Sequence, residues 1–331
     1  MKNKGSTLLK LIIGILVSVL LLYLAFNKIK FDQMKDAFQT ANYWWLVPAV
    51  VVQLISHWVR SIRWTYLLAR VKQVPTWTLF YATMIGYFGN TVLPAHLGEF
   101  FRGNVVGKKE GIPTSSVLAT IIIERIIDMF SVLLIMVGVL LVYPFPDMVK
   151  TGGYVMLTGT VGLALFLVLL KVQNERTMGF VNFFLRLLPQ GLSQRIEGLI
   201  EAFVDGINGL SRKRDYIYIL VHSILIWALY WLALYLTMEA FNLSEIYKLN
   251  AISSAVVLVV TAISVVIPSS PGYVGAYHYA CQLALAWFGV PRAVGLSFAF
   301  VAHGISVVPT ALIGFVFAWQ EGLKRLNVEA D

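Results

Sequence analysis

The chain has 331 residues, of which 58% are hydrophobic and 13% charged, with a mean hydropathy of +0.76. Soluble domains run at about 45–50% apolar and about 25% charged, so these proportions argue against a water-soluble enzyme, a disordered chain and a disulfide-stapled secreted scaffold. The formal net charge of +9 would suit a nucleic-acid binder, but the basic residues flank apolar runs, a pattern that fits an anionic bilayer surface instead. No nucleic-acid partner is expected, and the single cysteine, Cys281, allows no internal disulfide.

A helix crosses the hydrocarbon core with about 20 apolar residues. Apolar runs near 8–26, 44–62, 76–93, 115–142, 153–171, 216–238, 250–267 and 294–319 meet or approach that length. The first follows Lys2, Lys4 and Lys10 as a signal peptide would, yet it has no small-x-small cleavage site and reads as an anchor. The more polar segment at about 176–214 carries Phe180, Phe183, Phe184, Leu187 and Leu188 among Arg186, Arg195 and Glu197, and is predicted to be an amphipathic helix in the interface. Trp44, Trp45, Trp58, Trp64 and Trp77 are expected in the aromatic belts.

With the N-terminus in the cytoplasm, Arg60, Arg63, Arg70, Lys72, Lys171, Arg212, Lys213, Arg214, Lys324 and Arg325 fall inside, and both termini are cytoplasmic. Arg102, Lys108 and Lys109 break this rule if 76–93 crosses completely. They obey it if 76–107 is a re-entrant hairpin that returns to the face it came from.

An internal echo supports that hairpin. Val92-Leu93-Pro94-Ala95-His96-Leu97-Gly98 resembles Val266-Ile267-Pro268-Ser269-Ser270-Pro271-Gly272, and Gly111-Ile112-Pro113 is echoed by Gly289-Val290-Pro291. The two units, about 76–142 and about 250–319, would approach from opposite faces as inverted repeats, whose broken segments mark a midplane site in many transporters. A return arm that begins at depth points free N–H groups and a positive dipole end inward, which favours an anion. Ser270 is the expected N-cap of the second return arm and Pro271 its first helical residue. A structural kink without a ligand is the plain alternative.

Charges inside a span are costly and mark function. Glu124 and Asp128 share a helix face, and Arg125 is spaced to pair with Asp128. They read either as a self-neutralising pair or as a phosphate and proton site. Glu99 and Arg102 follow the first break on one face, with Arg102 expected near the cytoplasmic mouth, where snorkelling alone would explain it. His303 follows Pro291 at nearly the distance at which Glu124 follows Pro113, so it is a candidate counterpart of Glu124, or else a helix–helix hydrogen-bond partner. Tyr277 and His278 follow the second break. His57 and His222 read as structural or interfacial.

Enzyme signatures are missing from the sequence: there is no H-E-x-x-H, G-x-S-x-G, phosphate-binding or dinucleotide motif. The five histidines lie in separate segments without metal-ligand spacing. Neither cofactor nor metal nor catalytic residue is expected.

Arg60-Ser61-Ile62-Arg63-Trp64 with Leu67-Leu68, Asn90 through Pro94 with Gly98, Glu99 and Arg102, Glu124-Arg125 with Asp128, and Pro268 through Gly275 together resemble the lysylphosphatidylglycerol synthase transmembrane-region family of flippase-like proteins. The resemblance runs from about residue 10 to 320. Larger members of that family carry a soluble aminoacyl-transferase domain and both make and flip aminoacylated phosphatidylglycerol. The chain is expected to lack that domain, so the resemblance implies lipid handling without lysyl transfer. The family often has Arg two residues after the proline, where this chain has His96.

The expectation is an all-α polytopic membrane protein, one transmembrane domain over 1–331 with about six full spans and two re-entrant hairpins, in a bacterial inner membrane. Its predicted activity is movement of an anionic lipid or lipid-linked head group between leaflets. The substrate-binding residues would be Asn90, Pro94, His96, Gly98, Glu99, Arg102, Glu124, Arg125, Asp128, Ser269, Ser270, Gly272, Tyr277, His278 and His303. The same architecture also suits a small-solute or ion transporter, or a non-transporting partner of a lipid-modifying enzyme. Anionic lipids are the expected partners, with a lipid-modifying enzyme or a second copy of the chain as further candidates.

Overall fold

Hydrophobic runs of this length close their backbone hydrogen bonds internally, and the chain is accordingly an all-α polytopic membrane protein with no strand among the described residues. The computed structural model describes residues 16–27, 29–69, 71–93, 97–172, 213–266 and 271–328. The helices are α1 (Leu16–Phe26), α2 (Phe31–Thr40), α3 (Leu46–Leu68), α4 (Thr76–Val92), α5 (Leu97–Glu110) and α6 (Thr114–Leu140). They continue with α7 (Asp147–Val172), α8 (Lys213–Ala240), α9 (Leu243–Ile246), α10 (Ala251–Val266), α11 (Ala276–Ala286) and α12 (Arg292–Val328). Tyr43–Leu68, Arg214–Ala240 and Arg292–Gly322 are long and apolar enough to cross a membrane. α6 and α7, of 27 and 26 residues, match them in length, but α6 carries Glu124, Arg125 and Asp128 midway.

The first hairpin is α4 and α5, packed antiparallel. A Cβ on Gly98 would collide with the Gly86 carbonyl and the Asn90 backbone, so glycine at this position lets the two backbones touch. The Gly98 N–H donates to Asn90 Oδ1 at 2.8 Å, so the Asn90 side chain bridges the break between the arms. At the open end Lys72 Nζ donates to the Glu110 carbonyl at 2.7 Å and pairs with its carboxylate at 3.0 Å. The hairpin therefore starts and finishes on one face, as expected, with its return arm running to Glu110 rather than to 107.

α3 and α8 pair antiparallel along their length, from Tyr66 stacked on Tyr218 at 4.9 Å to Arg60 Nε donating to the Tyr230 hydroxyl at 3.2 Å. α8 thus carries the chain to the opposite face, and α10 and α11 form a second hairpin that opens there. Gln282 Nε2 donates to the Arg292 carbonyl at 3.1 Å, and His278 packs on Phe300 at 4.4 Å, so α12 runs back antiparallel to α11. α12 then descends along α4, and Tyr81 donates to the Phe317 carbonyl at 2.8 Å. Lys109 pairs with Glu321 at 3.7 Å near the open end of the first hairpin. The two hairpins open on opposite faces, and their breaks approach: a Cβ on Gly272 would lie 3.8 Å from the Thr91 carbonyl oxygen.

The Gly-x-Pro echo has a structural cause. Gly111 and Gly289 take φ of +67° and +78°, closing α5 and α11 in left-handed turns. The Ile112 N–H then donates to the Gly107 carbonyl at 3.0 Å, and the Val290 N–H to the Leu285 carbonyl at 3.3 Å. Pro113 and Pro291 follow, and their carbonyls accept the first bonds of α6 and α12. The same device ends each return arm and launches each long helix.

One expected boundary is corrected. The second return arm starts at Ala276, with Gly275 as N-cap, and not at Pro271. Pro271–Tyr273 is a separate 3-10 turn in which Gly272 has φ +68°, a conformation that ends a helix direction rather than continuing it. Pro94, Ala95 and His96, with Pro268, Ser269 and Ser270, lie outside the described residues, as does 176–212 of the expected interfacial segment.

Candidate functional site

Charged side chains at membrane depth need partners, and α3, α5 and α6 supply them to one another. Arg60 and Arg63, three apart on α3, face Glu124 and Asp128, four apart on α6. Arg60 Nη1 bonds Glu124 and also donates to Asp128 Oδ2 at 2.8 Å. Arg63 Nη2 donates to Asp128 Oδ1 at 2.8 Å and lies 3.7 Å from Glu124, while its Nη1 donates to Ser223 at 2.9 Å. Arg102, from α5, reaches Glu124 at 3.4 Å. Arg125 pairs with Glu99 at 2.5 Å and stands 3.8 Å from Asp128. The cluster joins four guanidinium groups to three carboxylates.

Several expectations change here. Arg60 and Arg63 are not cytoplasmic flank charges: their relative exposures are 3% and 0%, inside α3. Arg102 is no mouth residue that snorkels to water. It is buried, with its guanidinium 4.8 Å above the ring of Trp64. Trp64 itself is fully buried and donates to Thr120 Oγ1 at 2.9 Å, so it stands apart from the exposed Trp44, Trp45, Trp58 and Trp77. The Glu124, Arg125 and Asp128 triplet does not neutralise itself within α6. Its carboxylates are held mainly by α3, and Arg125 turns mainly to Glu99. The sequence signal for the missed pair was the spacing of Arg60 and Arg63 on one helical face, complementary to that of Glu124 and Asp128.

Beside this cluster lies a cavity of about 510 Å³. Its polar part includes Arg60, Glu99, Arg125, Asp128 and Asn90, and its apolar part includes Met129, Val132, Met156, Leu234, Leu258 and Val265. The size falls in the range of about 300–1,000 Å³ typical of ligand sites. Both repeats contribute: Tyr273 from the turn after the second break and Tyr277 from α11 line it together with Glu99 and Arg125. Glu124 and Arg102 stand behind the wall and hold the lining charges in place.

The histidines form a separate group. The rings of Tyr277 and His303 stack at 4.9 Å, and His278 meets His303 edge-on at 4.8 Å. His278 Nδ1 accepts from the Gly275 N–H at 3.4 Å, closing the start of α11. Among the described residues no ion pair joins His278 or His303 to the carboxylates, so His303 does not mirror the partners of Glu124. His57 packs against Tyr87 at 4.6 Å and bonds Gln53 at 3.3 Å, which places it directly behind the cavity lining. Asn90 and Gly98 serve the hairpin break, and Asn90 also lines the cavity. Gly272 is buried in the turn facing Thr91. Among the described residues no three His, Cys, Asp or Glu side chains converge as metal ligands.

The chain is similar to a UPF0104 membrane protein of Methanothermobacter thermautotrophicus, 24% identical over 92% of both chains. It is 21% identical to the UPF0104 membrane protein MJ1595 of Methanocaldococcus jannaschii, over 95% of this chain and 94% of the relative. A third relative, named glycosyltransferase AglD, from Haloferax volcanii, is 24% identical over 92% of this chain but only 53% of its own length. No solved structure matches the chain significantly. Residues 11–314 match the family described as Lysylphosphatidylglycerol synthase TM region, and the chain belongs to that family.

Proposed function

We propose that the protein moves an anionic lipid or lipid-linked head group between leaflets, with the head group passing through the cavity at the meeting of the two hairpin breaks and the acyl chains remaining in the bilayer. The observation that carries this reading is the cavity itself: one wall of buried and half-buried arginines and carboxylates, the other of methionine and aliphatic side chains. A polar chamber at this depth shields a head group from hydrocarbon, and its apolar side suits the adjoining chain. The face bearing Lys72, Lys108 and Lys109 is the cytoplasmic one in this proposal, with both termini on that side. In this proposal the protein acts as a transporter rather than an enzyme. The bacterial inner membrane remains the proposed location, although the relatives named above are archaeal.

The test is reconstitution. Purified protein in liposomes doped with labelled anionic lipids, with and without an imposed ion gradient, should move lipid across the bilayer faster than empty vesicles. Equal rates across the whole lipid panel would refute the proposal. A small-solute transporter of the same architecture would instead show uptake of a water-soluble solute without lipid movement.

A further inference from the structure

We propose that Arg125 is the anion-binding residue of the cavity and that the site takes lipids whose head group carries one net negative charge, a phosphodiester. The inference rests on the lipid-handling reading and names the substrate class for it.

Four arginines meet three carboxylates in this cluster, so one positive charge is left over. A buried charge without a counter-charge is costly, and a single negative charge entering the cavity would remove that cost. Arg63 and Arg102 do not line the cavity, and Arg60, which does, is fastened to Glu124, Asp128 and Tyr230 at once. Arg125 differs. It lines the cavity, its close partner is one carboxylate on another helix, and its Nε–H is buried with no hydrogen-bond partner. Glu99 pairs with Nη2 by charge at 2.5 Å and so holds the guanidinium, leaving Nε–H for an incoming oxygen. A second wall residue, Trp227, also keeps its indole N–H buried without an acceptor. These two are donors, as recognition of a phosphodiester requires, while Glu99 Oε1, without a hydrogen bond of its own, stays against the Arg125 guanidinium as its counter-charge. A zwitterionic head group would bring its own cation into an already positive site, and a phosphomonoester dianion would overshoot the charge balance.

The experiment titrates the purified full-length protein with phosphatidylglycerol, phosphatidylcholine and phosphatidic acid, counting bound lipids by native mass spectrometry. The wild type should hold phosphatidylglycerol about tenfold over phosphatidylcholine, as one charge-assisted hydrogen bond allows. Arg125→Gln should erase that preference and Arg125→Lys should keep most of it. Glu99→Gln, which adds a second uncompensated positive charge, should shift the preference towards phosphatidic acid. Dimethyl phosphate in excess should leave the lipid bound, because it gains nothing from the apolar wall; full displacement would overturn a lipid as the ligand. Equal wild-type binding of phosphatidylglycerol and phosphatidylcholine would overturn the proposal, as would an unchanged preference in Glu99→Gln. The Glu99→Gln readout stands even if Arg125→Gln does not fold. Charge-selective binding without liposome lipid movement would sink the transport reading alone, and movement without charge selectivity would sink this inference alone.

Discussion

Arg60 bridges Glu124 and Asp128, so a single guanidinium on α3 ties together two carboxylates one turn apart on α6. All three side chains are buried, and removing the arginine takes from Glu124 its nearest cation and from Asp128 one of its two donors at 2.8 Å, both inside the protein. Losing one member of a buried ion pair costs about 3–5 kcal/mol. Arg60→Ala is therefore expected to lower the stability of the purified protein in detergent by about that amount, read from its unfolding curve. A change below about 1 kcal/mol, the range of exposed pairs, would show that the network does not hold α3 to α6.

The close approach of α4 and α5 makes a second prediction. Any Cβ at position 98 meets the Gly86 carbonyl and Asn90, which are backbone and cannot swing aside. Gly98→Ala must separate the arms and break the bond from the Gly98 N–H to Asn90. The expected result is loss of folded protein in size-exclusion chromatography of the extracted membranes. Gly138→Ala, at a position where a Cβ meets nothing within 4 Å, should behave as the wild type.

The architecture was legible in the sequence because its signals are local: apolar runs set the long helices, and Gly-x-Pro marks where each return arm ends. The ion network was not legible, because its members sit far apart in the chain and only the packing of α3 on α6 unites them. Arg60 and Arg63 lie at the end of an apolar run, where flank charges and buried charges look alike. Trp64 was misread for a related reason: tryptophan composition near a span end suggests the belt, and only its bond to Thr120 and its contact with Arg102 identify it as core. The start of the second return arm was placed early because Ser-Pro imitates a cap, whereas the positive φ values of Gly272 and Gly275 delay the helix to Ala276.

Trp64 supplies a third test. Its ring lies under the Arg102 guanidinium and its N–H satisfies Thr120. Trp64→Phe keeps most of the packing but loses the hydrogen bond and weakens the cation contact, at a cost of about 1–2 kcal/mol. Trp64→Ala also opens a cavity in the core around Leu68 and Leu79, and should cost about 3–5 kcal/mol. Equal unfolding curves for the two variants would show that packing contributes little there.

The opposed hairpins give the last prediction, which concerns topology. The sole cysteine, Cys281, is fully buried, so the wild-type protein should be silent to a membrane-impermeant thiol reagent. Lys108 is exposed near the open end of the first hairpin, and Lys248 is exposed just before α10, at the opening of the second. Lys108→Cys and Lys248→Cys should therefore label from opposite sides of the membrane and, in the orientation proposed above, Lys108→Cys only after the cytoplasmic side is made accessible. Labelling of both from the same side would mean that one of the hairpins crosses fully. The inverted relation of the two breaks, and with it a cavity walled by both, would then be lost.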